Sequence, residues 1–316
     1  MENSINNPKQ AREQIIANDE IDLRELFTVI WQGKWIIIVI TALFAVASVA
    51  YAITQPDIYK SEALLAPAQQ DDTGGLGALT GQFGGLASLA GVNLGGSSSN
   101  KAQLAIEILK SRQFTKDFIQ KHSILPDLMA VKAWNSEINI ITYDEELYIV
   151  EQNKWVREVD APFKPKPSMQ EAYIEFSEIL TVKPEEETGM VIIAIEHKSP
   201  YIAQQWVNWL IEDINQTMKQ RDVLEANKST EFLTKQIQLT KISDIRAVLY
   251  NLVEEQTKTI MFANVRDEYV FKTVDPAIVP EKKSGPKRAL ICILSVFFGA
   301  FLGVVLVLIK RAVQKD

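Results

Sequence analysis

Two stretches stand apart in the pattern of apolar and polar positions. Trp35–Ile53 runs 19 residues without a charge and Ala289–Ile309 runs 21. Each is long enough, as a helix, to cross roughly 30 Å of hydrocarbon. Between them the pattern alternates in shorter pieces. Ile58–Ala66 reads as a strand. Asn100 is placed to cap a helix over Lys101–His122, with Leu104, Ile108, Phe114 and Phe118 at roughly helical spacing. Residues 127–167 give no consistent period, only an apolar run at Ile138–Ile141 and a break at Pro162, Pro165 and Pro167. Ser168 with Glu171 forms a capping-box pattern that predicts a helix over Met169–Phe176. Ile179–Lys183 and Met190–Glu196 read as a hairpin about Glu185–Gly189.

From Ser199-Pro200 a long helical pattern begins. Ile202, Trp206, Trp209, Leu210, Ile214 and Met218 make one broad apolar face suited to packing on a sheet. Beyond it the face narrows to a heptad-like seam of Val223, Ala226, Thr230, Leu233, Ile237 and Thr240. Ser243 or Asp244 is placed to cap a second helix, with its seam at Ile245, Val248, Leu252, Thr259 and Ala263. The two narrow helices, 219–241 and 244–265, have matched lengths of about 33 Å. That predicts an antiparallel hairpin; the alternative is one unbroken helix of about 65 residues. Glu268–Asp275 reads as a returning strand, and Pro276, Pro280 and Pro286 then lead into the second apolar stretch.

Charge changes the picture in two ways. Residues 54–288 carry 26 Lys+Arg against 33 Asp+Glu, a net of −7. An acidic domain of this kind excludes a nucleic-acid footprint. Around the spans, Arg24 and Lys34 precede the first and only Lys60 follows closely. This favours a cytoplasmic amino terminus. The second span is basic on both sides, and a 235-residue loop crosses largely regardless of its charge, so the first span sets the orientation. The polar residues ahead of the first span exclude a cleavable signal. Trp31, Trp35, Tyr51 and Tyr59 are placed as interfacial anchors. Gly299 and Gly303 form a G-x-x-x-G in the second span, a pattern that lets helix backbones approach closely in lipid; lipid-facing glycines are the alternative.

Candidate chemistry is sparse. The one cysteine, Cys292, lies in the second span, so no intrachain disulfide forms, and two histidines leave little for zinc. His122 and His197 sit at element ends with no triad pattern around them. Glu185-Glu186-Glu187 reads as a charged hairpin tip rather than a glycosidase carboxylate pair. Trp206 and Trp209 read as core rather than as a sugar platform. Thr73–Asn100 holds nine of the 14 glycines but no G-K-[ST], so it is no P-loop. It reads as a loop, or as an apolar flap against the membrane or a neighbouring subunit. No catalytic residue, cofactor site or metal site is expected.

Four segments resemble the polysaccharide co-polymerase family, the Wzz-type O-antigen chain-length determinants. They are Ile21-Asp22-Leu23-Arg24-Glu25-Leu26 with Trp31-Gln32-Gly33-Lys34-Trp35; Ser199-Pro200-Tyr201-Ile202-Ala203 with Trp206 and Asn208; Phe232-Leu233-Thr234-Lys235-Gln236; and Asp275-Pro276-Ala277-Ile278-Val279-Pro280-Glu281 with Pro286-Lys287-Arg288. Since the sequence stops seven residues after Ile309, the resemblance implies the kinase-free class. It implies an α+β membrane protein with two transmembrane helices, a periplasmic α/β base and a projecting helical hairpin as crown. The base sheet would comprise 58–66, 179–183, 190–196 and 268–275. The expected organisation is a cytoplasmic tail (1–34), a span (35–53), a periplasmic domain (54–288), a second span (289–309) and a cytoplasmic tail (310–316). Within the domain, 54–218 and 266–275 form the base, 219–265 the crown, and 276–288 the proline-rich segment. The implied partners are further copies in a ring, with a seam at Leu233, Ile237, Ile245 and Leu252, and a Wzy-type polymerase, with the nascent polysaccharide possible. The implied place is the bacterial inner membrane, and the implied role is non-catalytic control of O-antigen length. Capsule or exopolysaccharide export and a two-span periplasmic sensor are the competing readings.

Overall fold

A computed structural model describes residues 31–68 and 98–315. The Ile21–Leu26 segment and most of the glycine-rich Thr73–Asn100 lie outside the described residues. The chain divides into two compact units, residues 1–56 with 285–316, and residues 57–284.

The first unit holds α1 (Lys34–Thr54) and α8 (Arg288–Lys315), which pack along one another. Both are long and apolar enough to cross a membrane, over Lys34–Thr54 and Arg288–Arg311. Most of their side chains are exposed, as lipid-facing positions require, while Ser48 and Ala52 are buried.

The second unit is built on a four-stranded antiparallel sheet. Its strands are β1 (Tyr59–Pro67), β6 (Leu180–Pro184), β7 (Val191–His197) and β8 (Phe271–Asp275), in the order β6-β7-β1-β8. The four segments named from the resemblance are thus brought together. β1 and β7 pair from Tyr59↔His197 to Leu65↔Val191, and β6 and β7 from Leu180↔Ile195 to Pro184↔Val191. In the central β7, Val191, Ile193, Ala194 and Ile195 are all buried, as expected of a strand covered on both faces.

Helix α6 (Pro200–Leu239) lays its first half on this sheet. Ile202, Trp206, Val207, Leu210, Ile214 and Met218 are buried, and each contributes about 1.5–3 kcal/mol by leaving water. Trp206 sits at the centre, its ring 6.2 Å from Phe176 and 5.2 Å from His197. Phe176 belongs to α5 (Met169–Ile179), whose capping box between Ser168 and Glu171 forms as expected. Between α5 and the preceding helices lie two small hairpins, β2 (Val131–Asn135) with β3 (Ile140–Tyr143) and β4 (Tyr148–Ile149) with β5 (Lys154–Trp155). They occupy the region whose sequence had no consistent period.

Three expectations are corrected. The helix over Lys101–His122 is two helices, α2 (Ser98–Leu109) and α3 (Arg112–His122). Ser111 accepts a hydrogen bond from the Phe114 N–H at 3.2 Å and restarts the helix. The register therefore resets, and α2 buries Ala102, Ala105, Ile106 and Leu109 while Leu104 is exposed. Asn100 lies inside α2 rather than capping it. The returning strand begins at Phe271, not Glu268, because the Asn215 side chain takes the Val270 and Phe271 N–H groups. Finally, neither Ser243 nor Asp244 caps α7 (Ser243–Val265), whose N-cap position is Ile242 with no side-chain bond. The turn at 240–242 is closed instead by the Arg246 guanidinium, which donates to the Thr240 carbonyl at 2.8 Å.

The long pattern does split into an antiparallel hairpin rather than one unbroken helix. Its first arm is the continuation of the 40-residue α6, about 60 Å long, rather than a separate helix. The short α4 (Leu125–Met129) links α3 to β2.

Candidate functional site

Three places bear on what the protein does: the contact between the spanning helices, the proline segment, and the helical hairpin. In the first unit, glycines take the close-approach positions. A Cβ on Gly303 would lie 3.0 Å from the Ile37 Cα, and one on Gly299 2.9 Å from the Phe44 Cβ and 3.2 Å from the Thr41 Cα. Gly33 offers the reciprocal arrangement, with Val307 seated where its Cβ would be. As α1 runs 33, 37, 41 and 44, α8 runs 307, 303 and 299, so the helices are antiparallel. Small residues thus alternate between the two helices, which is how helices approach closely where no hydrophobic force separates lipid from side chain. The rings of Phe44 and Phe298 meet at 5.8 Å beside Gly299. Arg288 donates to the Gln55 carbonyl at 2.9 Å and ties the two helix ends together.

Pro276, Pro280 and Pro286 lie in the segment between β8 and α8. Prolines have no N–H to donate, so this segment is held mainly by its carbonyls and side chains, with one backbone N–H at Ser284. The Ser61 hydroxyl donates to the Ile278 carbonyl at 2.7 Å and the Gln204 amide to the Ala277 carbonyl at 2.9 Å. The Ser284 N–H donates to the Ile58 carbonyl at 2.8 Å, and Lys283 pairs with Asp57 at 3.0 Å. The segment is therefore fastened alongside the start of β1.

In the hairpin, Ala226 and Leu233 are buried on α6, with Val223, Thr230, Ile237 and Thr240 half-buried. On α7 Ala263 is buried, and Leu249, Leu252, Gln256 and Thr259, at three-four spacing, are among the half-buried positions, with Val253, Glu255, Lys258 and Ile260 beside them. Ile245 and Val248 do not join this seam; they are 48% and 37% exposed. They lie in the first two turns of α7, near the hairpin tip. Leu249 takes the half-buried place that the sequence period assigns to Val248.

Buried polar groups tie the base together. His197 is almost fully buried; its Nδ1 accepts from the Ser199 N–H at 3.0 Å, so its Nε2–H donates to the Asp127 carbonyl at 3.0 Å. Burial holds its pKa below the ordinary histidine value. Asp127 also receives the Tyr143 hydroxyl, and burial with that bond raises the Tyr143 pKa. Asp213, on the buried face of α6, receives Lys121 at 2.5 Å and His122 at 2.9 Å, and the His122 ring stacks on Trp209 at 4.1 Å. Both histidines are thus satisfied structural groups. A half-open cleft of about 400 Å³ beside β6 is lined by Lys110, Thr115, Tyr173, Ser177 and Thr181 among others. Among the described residues, no three His, Cys, Asp or Glu side chains gather as a metal site would require.

The class this architecture defines is a two-span membrane protein in which the residues between the two spans in sequence form an α/β base bearing a helical hairpin. The family model described as Wzz, chain length determinant protein, matches residues 19–122. A second, GNVR, described as "G-rich domain on putative tyrosine kinase", matches residues 235–312. Among solved structures, a "full-length bacterial polysaccharide co-polymerase" is similar at 14% identity over 93% of this chain and 99% of that chain, with a TM-score of 0.38. A "Fragment of WzzB, Polysaccharide Co-polymerase from Salmonella Typhimurium" is similar at 14% identity over 73% of this chain and 100% of that one, with a TM-score of 0.28. No curated protein matches the sequence. The first family match takes in α1, β1 and the helices to the end of α3; the second takes in α7, β8, the proline segment and most of α8. Both spans therefore fall within matched segments, and the resemblance to Wzz-type polysaccharide co-polymerases is borne out. A role in setting polysaccharide chain length is supported by the chain length determinant match over residues 19–122.

Proposed function

We propose that the protein regulates the length distribution of O-antigen made by a Wzy-type polymerase, as a non-catalytic, ring-forming scaffold of the bacterial inner membrane. In this reading both termini are cytoplasmic and residues 54–288 are periplasmic. The observation that carries it is the chain-length determinant match over residues 19–122. The two spanning helices and the hairpin-bearing base agree with it. The polymerase performs the bond chemistry, and the scaffold biases when it stops.

Deleting the gene tests this. The expected outcome is polymer still present, with an unregulated length distribution on a lipopolysaccharide gel. Complete loss of polymer in a clean deletion would refute regulation and favour an enzyme. A second reading, a co-polymerase in capsule or exopolysaccharide export, is favoured by the match over 235–312 to a segment described from tyrosine kinases. In that case the same deletion leaves the lipopolysaccharide ladder unchanged and alters the exported polymer.

A further inference from the structure

We infer that the β2–β3 hairpin is a membrane-contact element whose tip enters the lipid headgroup region. This rests on reading α1 and α8 as membrane-spanning. The tip presents Ile138 at 63% exposure and Ile140 at 55%, and Tyr201 of α6, which meets Trp134 of the same hairpin, is also exposed. Trp134 of β2 joins the hairpin to the start of β1: its ring meets Tyr59 edge-on at 5.3 Å and Tyr201 at 6.2 Å. Tyr59 is five residues beyond Thr54, the last residue of α1. Five residues of chain reach at most about 18 Å. The second span tethers the same place, because Ser284, bonded to the Ile58 carbonyl, is four residues before α8 begins at Arg288. The patch is therefore leashed at two points within short reach of the bilayer surface.

Its chemistry fits that surface and not bulk water. Tryptophan and tyrosine favour the membrane–water boundary, with an apolar body and a polar edge. The hairpin tip also satisfies its own donors. The Asn135 side chain accepts from the Glu137 and Ile138 N–H groups at 2.9 and 3.3 Å, and the Asn139 side chain accepts from the Trp134 indole at 2.8 Å. Donors bonded internally remove the main cost of moving a turn into a less polar medium. From Ala133 to Thr142 the only charge is Glu137. Lipid is the occupant these facts favour over another protein, because the leash is to the spans.

The test uses the full-length chain in phosphatidylethanolamine–phosphatidylglycerol nanodiscs. Cys292→Ser removes the one native cysteine. A polarity-sensitive fluorophore is then placed at Ile138→Cys, and separately at Leu294→Cys and Leu239→Cys. With lipids brominated high on the acyl chain, the label at 138 is expected to be quenched and blue-shifted. Leu239, 38 residues of continuous helix beyond Tyr201, serves as the comparison site. No quenching at 138 with strong quenching at 294 overturns the inference alone, and a copy-to-copy crosslink at 138 in that case names a second subunit as the occupant. No quenching at 294 overturns the span reading itself and the inference with it. Equal quenching at 138 and 239 marks non-specific adsorption and also overturns it. Adding Ile140→Asp is expected to diminish quenching at 138; unchanged quenching refutes the contact.

Discussion

Asn215 shows how one side chain positions a strand. Its Oδ1 accepts from the Val270 and Phe271 N–H groups at 2.8 and 3.0 Å, and its Nδ2 donates to the Phe271 carbonyl at 3.2 Å. Asn215→Ala strips two buried donors of their acceptor, at about 1–3 kcal/mol for each group left unsatisfied. A clear fall in the urea midpoint of the detergent-solubilised protein is expected, and an unchanged midpoint would show that water replaces the side chain. His197 makes a pH-dependent contribution. Burial depresses its folded-state pKa below the unfolded value of about 6.5, so folding favours the neutral ring. Its stabilisation is fully present above about pH 6.5 and is lost as pH falls through the depressed folded value. Melting temperature should fall between pH 7.5 and 5, less steeply in His197→Gln. These residues were only half legible in the sequence. Asp213 and Asn215 stand out as polar residues on a broad apolar helix face, but their partners lie 92 and 55 residues away, and no local period carries that distance.

At the scale of elements, periodicity was sufficient wherever one element spoke for itself. The spans, the β6–β7 hairpin and the capping box of α5 were legible because each is set by local pattern, and the crown's antiparallel turn was legible from the break at 240–244 although the capping residues expected there do not cap. The breaks were not. Ser111 restarts a helix in the middle of a plausible helical run, and the β2–β3 and β4–β5 hairpins are too short to develop a period. The glycine face of α8 was legible as a motif, while its partner on α1 was not, since nothing in a G-x-x-x-G names the opposing helix. The structure places Ile37, Thr41 and Phe44 there. Gly303→Leu must then push α1 and α8 apart, because even a Cβ would stand 3.0 Å from the Ile37 backbone. Residues 57–284 form their own compact unit, so that unit should still fold. The expected result is normal expression with an altered polymer length distribution, and a wild-type ladder in a well-expressed Gly303→Leu strain would show that the helix contact is dispensable.

For the molecule as a whole, the hairpin poses the question of what covers it. Its internal seam is narrow, and a narrow seam buries little by itself. Outside the seam, Leu224, Phe232, Tyr250 and Met261 are each more than half exposed. These are the side chains that an association through the crown's outer face would cover. Two neighbouring residues separate the inner contact from the outer one. Leu233 is 7% exposed and faces α7, whereas Phe232 is 61% exposed and faces away. Leu233→Lys places a charge in the intramolecular seam, where an unpaired charge is costly, and should lower the melting temperature of the chain itself. Phe232→Lys leaves that seam intact. If copies of the chain associate through their crowns, Phe232→Lys should keep the wild-type melting temperature while depleting the higher bands of a chemical crosslinking ladder in membranes. A ladder unchanged by Phe232→Lys would move the association away from the crown's outer face. A wild-type protein that crosslinks only as monomer in native membranes would refute the ring.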